Sequence, residues 1–168
     1  MQQEARAEKR AIVDADQLLR RVRFTNPDHV KPDGSASSFA FTPRKHKGEK
    51  ALSVDAGSMT MHERSIKKAA EYRLYVLQVK EVREMLLSVC HDPCPAEEPE
   101  NQAHTLIAAQ DGRPAGCTDV PSVNEGPIPG ITAENLKRPK PEVPLTSTAG
   151  VAKKLARASR RLNYPDRC

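Results

Sequence analysis

Tryptophan is absent from the 168 residues, and aromatics of all kinds make up only 4%. Three Phe and three Tyr are too few for a row of base-stacking platforms, which disfavours a single-strand-binding surface built on aromatics. No apolar run approaches the roughly 18–20 residues that cross a bilayer, so no membrane partner is expected. The first residues, MQQEARAEKRAIVDAD, lack an apolar signal core, and export by a signal peptide is not expected. There is no Walker loop, and no G-x-G-x-x-G follows an expected strand, which disfavours the standard nucleotide folds. No G-x-S-x-G and no glycine-flanked cysteine marks a nucleophile. Nothing beyond the four cysteines points to secretion. Cys90, Cys94, Cys117 and Cys168 are therefore read as mostly reduced thiols of a cytoplasmic protein.

What is present is a modest apolar share and an uneven charge. Hydrophobic residues reach 38%, enough for one small domain with flexible attachments. The net charge is +5. Residues 137–168 hold nine Lys and Arg against Glu142 and Asp166, a net of +7, so the other 136 residues sum to −2. Attraction to an anion should be strongest at the C-terminal end.

The periodicity predicts a single small α+β domain over 17–110, with a mixed or antiparallel sheet and one or two helices. Residues 1–16 read as a loose arm. LLRRVRF (18–24) alternates as a strand, with Leu18, Arg20, Val22 and Phe24 on one face and Leu19, Arg21 and Arg23 on the other. SSFAFTP (37–43) and ALSVDA (51–56) are predicted as two more strands. Thr60 to Glu63 is a capping-box pattern, which predicts a helix from there to about Tyr72 with Ile66, Ala69 and Ala70 buried. LYVLQV (74–79) reads as a buried strand. Val82, Met85, Leu86 and Val89 are spaced for a short helix, and HTLIAA (104–109) reads as the last strand.

Ten of the 14 prolines fall between Pro93 and Pro144, so 111–147 reads as a Pro/Gly-rich linker. Residues 148–168 then supply a basic amphipathic helix and tail. Val151, Leu155, Ala158 and Leu162 form its stripe, with Lys153, Lys154, Arg157, Arg160 and Arg161 off it.

Three constellations carry chemistry. CHDPCPAEEPENQAH (90–104) is open to a metal, a catalytic or a plain turn reading. Cys90, Cys94 and His91 are weak metal candidates, with His104 as a further donor, because their spacing is looser than a paired knuckle. A catalytic reading uses His104 or His91 for proton transfer with Asp92 as orienter. Against it stands a turn at Asp92-Pro93, with the histidines hydrogen-bonded to backbone. Second, Arg20 and Arg21 beside Ser37-Ser38 are placed to hold a phosphate or carboxylate, with a solvated strand face as the plain alternative. Third, the cations of 153–161 suit nucleic acid or an acidic protein. No cofactor is expected.

These pieces in order resemble a family of small uncharacterised bacterial proteins. Its pattern runs as an Arg-rich strand, SS-x-x-F, L-S-V-D, then D-P-x-P-x-N-x-A-H. The matching positions are Arg20, Arg21, Ser37, Ser38, Phe41, Leu52 to Asp55, Asp92, Pro93, Pro95, Asn101, Ala103 and His104. The AEEPE stretch lengthens the loop before Asn101, and the linker is longer than the pattern has it. The resemblance implies a bacterial grouping and shifts weight from the cysteines to Arg20, Ser38 and His104; it implies no activity. The leading expectation is a binding module for an anionic partner, nucleic acid first. One alternative is a small enzyme, transferase or hydrolase, acting on a phosphorylated or nucleotide-like substrate with Arg20, Ser38 and His104. Another is a protein-interaction subunit.

Overall fold

The computed structural model describes residues 9–94, 100–109, 112–119 and 148–162. They form an α+β domain around one six-stranded antiparallel sheet. The strands are β1 (Gln17–Arg23), β2 (Leu52–Ala56), β3 (Tyr72–Gln78), β4 (Ser88–His91), β5 (His104–Ala108) and β6 (Arg160–Arg161). Their spatial order is β4-β5-β2-β1-β3-β6. The helices are α1 (His62–Ile66), α2 (Val79–Glu84) and α3 (Thr148–Ala158).

The period-2 alternation of β1 builds both faces of the sheet. Leu18 and Val22 join Val54, Tyr75, Leu77 and Ile107 in the main core, which Phe41 and Ala152 and Leu155 of α3 cover. Leu19 joins Leu74 and Val76 in a small cluster on the opposite face, closed by Ile66 and Leu162. The rest of that second face carries Arg21, Ser53, Asp55 and His104 in register with Leu19, with Leu106 beside Ser53.

Several expected elements take another form. Residues 38–41 are a 3-10 turn, not a strand. A turn of three residues per rotation sends Phe39 and Phe41 apart. Phe41 is buried and Phe39 is 68% exposed. The capping box does not form: the N-cap is Met61, without a side-chain bond. Helix α1 ends at Ile66 because Lys67 takes φ +56°. Ala69 and Ala70 are exposed, since two methyl groups give a helix little reason to continue over the sheet. Helix α2 ends at Glu84, and Leu86 at φ +61° turns the chain. The five residues from Leu87 to His91 are then all buried, as suits a strand covered on both sides. The stripe of α3 breaks before Leu162, which rounds the sheet edge through β6 and packs on the other face.

The reading of Cys90 and Cys117 as reduced thiols is corrected. They form a disulfide, with Cα atoms 5.4 Å apart. The bond holds residues 112–119 against the domain. There Asp119 accepts from Val89 N–H (2.6 Å) and from Arg83 Nη2 (2.7 Å). Gly112 passes so close to the backbone carbonyl of Lys50 that a Cβ would sit 2.6 Å from its oxygen. Residues 9–16 also pack on the domain: Ile12 is buried, and Asp14 pairs with Arg83. Cys168 lies outside the described residues. No helix among the described residues is long and apolar enough to cross a membrane.

Candidate functional site

Strands β1 and β2 are neighbours for only two residue pairs, Leu18↔Ala56 and Leu19↔Asp55. Beyond them β1 runs on with β3, and β2 runs on with β5. The sheet therefore forks at Arg20. Backbone groups along a fork need partners, and the Arg20 side chain supplies them. Its Nη1 donates to the carbonyl of Ser53 (2.7 Å) and its Nε to that of Ala40 (3.1 Å) in the 3-10 turn.

The fork opens into a cavity of about 430 Å³. Arg20, Arg21, Arg44 and Lys67 line it against two carboxylates, Glu49 and Asp55. Both carboxylates are engaged. Glu49 takes Arg44 Nη2 (2.5 Å), and this bond raises the pKa of Arg44 and lowers that of Glu49. Asp55 accepts from Asn101 Nδ2 (2.9 Å). Among the described residues, neither Arg20 nor Arg21 has a carboxylate partner. Arg21 donates to Ser65 O (3.3 Å) and lies 5.5 Å from the Tyr72 ring centre. The Arg20 guanidinium is pushed down to about 10, first by burial and then by the nearby charges of Arg44 and Arg21. It is still a cation at neutral pH. A cation set into a fold with no carboxylate bonded to it, Glu49 and Asp55 acting only as nearby charges, is costly, which makes its position informative.

His104 stands at the start of β5 and lines the same cavity. Its Nδ1 is 2.6 Å from the carbonyl oxygen of Asp92, which can only accept, so Nδ1 carries the proton and neutral His104 has its lone pair on Nε2. The Asp92 carboxylate is 3.7 Å from Nδ1.

Arg20, Arg21 and His104 thus share one cavity, and the other sequence candidates lie elsewhere. Ser38 is in the 3-10 turn, where its carbonyl accepts from Thr42 Oγ1 (2.9 Å); it does not line the cavity. His91 is turned away. Its Nδ1 accepts from Arg10 N–H (2.8 Å) and its Nε2 donates to Gln102 O (2.7 Å), so both ring nitrogens are used. Cys90 is spent in the disulfide. These two weak metal candidates therefore drop out, and Cys94 is left near Asp92 and His104. Lys153, Lys154, Arg157, Arg160 and Arg161 are exposed, and none lines the cavity.

Two contributors went unread in the sequence. Arg44 sits in a run that looks like a charged connection, and Phe39 reads as core. Phe39 instead stands at the cavity rim. The only sequence signal for it was the serine pair before it, which favours a turn over a strand. No family model, curated protein or solved structure matches the chain.

Proposed function

We propose that the domain binds a small phosphorylated, nucleotide-like ligand in the fork cavity. The observation that carries this reading is Arg20. It is a cation set in the fork without a carboxylate partner, and it faces a cavity shared with Arg21 and His104. Guanidinium groups suit phosphate because their paired donors match its oxygens. The volume falls within the range of about 300–1,000 Å³ typical of small-molecule sites. Phe39 offers an exposed ring on which a base can stack. His104 adds a group for proton transfer, so a transferase or hydrolase is the enzyme class that fits. The Cys90–Cys117 disulfide makes an oxidising compartment the expected setting in place of the cytosol.

Ligand carried through purification at low salt is the test. With no Trp in the chain, a bound base will raise absorbance at 260 nm clearly against that at 280 nm, and mass spectrometry of the released compound identifies it. A phosphorylated compound present in wild type and lost from Arg20→Met supports the reading. A preparation that is clean and takes up no nucleotide on addition sinks it.

A second reading has its own observation. Helix α3 buries Ala152 and Leu155 and leaves Lys153, Lys154 and Arg157 exposed, with Arg160 and Arg161 of β6 exposed next in sequence. Five such cations suit a nucleic-acid backbone. If all five contact phosphates, duplex affinity should fall with a log–log salt slope of about −4.5. Replacing Lys153 and Lys154 by Ala should flatten that slope by about 2. Anisotropy with a labelled duplex measures both, and a slope near zero removes this reading.

A further inference from the structure

We propose that Asp92, Cys94 and His104 form a binding site for a soft divalent cation of the zinc type. Each offers one ligand atom, and these atoms lie within 4.8 Å of one another. The backbone explains their convergence. The β4–β5 ladder ends formally at His91↔Thr105. The two chains stay paired beyond it. Asp92 N–H donates to His104 O (2.9 Å), and Cys94 and Asn101 exchange both backbone bonds (3.0 and 3.1 Å). Residues two apart on an extended chain point the same way, so Asp92 and Cys94 share a side. His104 stands across from Asp92 on the neighbouring strand. The donors are therefore fixed by paired backbone, the kind of support that gives a site its precision.

The donor set selects the ion. Thiolate and imidazole favour zinc over magnesium or calcium, and a carboxylate completes a common third position. Bonds of about 2.0–2.3 Å in a tetrahedron bring ligand atoms to roughly 3.5 Å from one another. The three ligand atoms, within 4.8 Å of one another, stand close to that spacing, and binding through His104 Nδ1 would displace the proton it donates to the Asp92 carbonyl. All three residues are half-buried, which leaves the fourth position to water or to a ligand. His104 also lines the fork cavity, so the ion would stand at its edge. The inference does not depend on a phosphorylated ligand, because it needs the metal alone.

The experiment uses the full chain with its disulfide intact, stripped with a chelator and dialysed. Zinc is titrated in competition with a chromophoric chelator, and cobalt is added to a parallel sample. The expected result is one zinc per chain and a thiolate-to-cobalt charge-transfer band in the near ultraviolet. Cys94→Ser should remove the band and weaken zinc binding by roughly tenfold or more, and His104→Ala should weaken it similarly. Cys168→Ser should change neither. Circular dichroism melts of each variant separate lost binding from lost folding. Absence of zinc uptake by the wild type, or unchanged binding in a folded Cys94→Ser, overturns the site. Zinc failure with the phosphorylated ligand still bound overturns this inference and leaves the fork reading standing. Zinc binding without any such ligand supports this site on its own.

Discussion

Dithiothreitol is expected to lower the unfolding free energy of the wild-type chain by about 3–4 kcal/mol. The Cys90–Cys117 bond closes a loop with a sequence separation of 27. Constraining a loop of that length in the unfolded chain is worth roughly 3.5 kcal/mol in the chain-entropy account. A small domain holds only about 5–15 kcal/mol in all, so the loss is a large share. The native side adds to it. Residues 112–119 reach the domain through Asp119, which takes both Arg83 and the Val89 amide. Freed of the covalent tie, this segment must be held by those bonds alone. Arg83 also ties down the opposite end of the chain through Asp14 and the Ile12 carbonyl. Loss of Asp119 therefore loosens the support of residues 9–16. Urea melts with and without reductant measure the effect, and Cys117→Ala should match the reduced protein. Cys94→Ser in metal-free buffer should keep the full reductant sensitivity. An unchanged midpoint in reductant would rule out the bond as a structural element.

The sheet was legible wherever the sequence alternates between apolar and polar residues over five or more positions. Gln17–Arg23 and Leu52–Ala56 are of that kind; Leu74–Gln78 shows instead as an apolar run, and the last four residues before His91 show as neither. Leu87–His91 is buried on both faces, so it shows no alternation, and its valine fits the helical spacing begun at Val82. The two-residue β6 is too short for any period. The Phe39/Phe41 spacing suggested a strand, yet tertiary packing against α3 chose a 3-10 turn. At the site, Arg20 was conspicuous because it broke the apolar face of β1. The fork that explains it is a matter of strand pairing, and pairing does not appear in local spacing. Arg44 was invisible for the same reason. The disulfide joins β4 to a segment that composition alone marks as linker, and nothing in the Cys spacing selects Cys117 over Cys94 or Cys168.

Arg20→Met is expected to stay within about 1 kcal/mol of wild-type stability while weakening ligand binding by roughly a hundredfold. The stability half is a cancellation. Burial and the neighbouring Arg charges bring the guanidinium down from its ordinary value to about 10. That shift is a burden on folding of the order of 3 kcal/mol. The folded state releases this proton earlier than the unfolded one. The burden is thus full at neutral pH and is relieved as pH rises through about 10. Methionine removes it and fills much of the same length. Against this, the carbonyls of Ser53 and Ala40 lose their donor, at about 1–3 kcal/mol each if left dry. Both border a cavity that water can enter, which puts the loss toward the low end. The binding half has no such offset. A charge-assisted hydrogen bond contributes about 1.5–3 kcal/mol, and a hundredfold loss corresponds to about 2.7 kcal/mol. A side chain kept only to brace the fork would give the opposite result, a drop of about 3–5 kcal/mol in stability with ligand affinity unmoved in the folded fraction. Denaturant melts and ligand titration on the same preparation therefore decide whether Arg20 is a strut or the group that receives the anion.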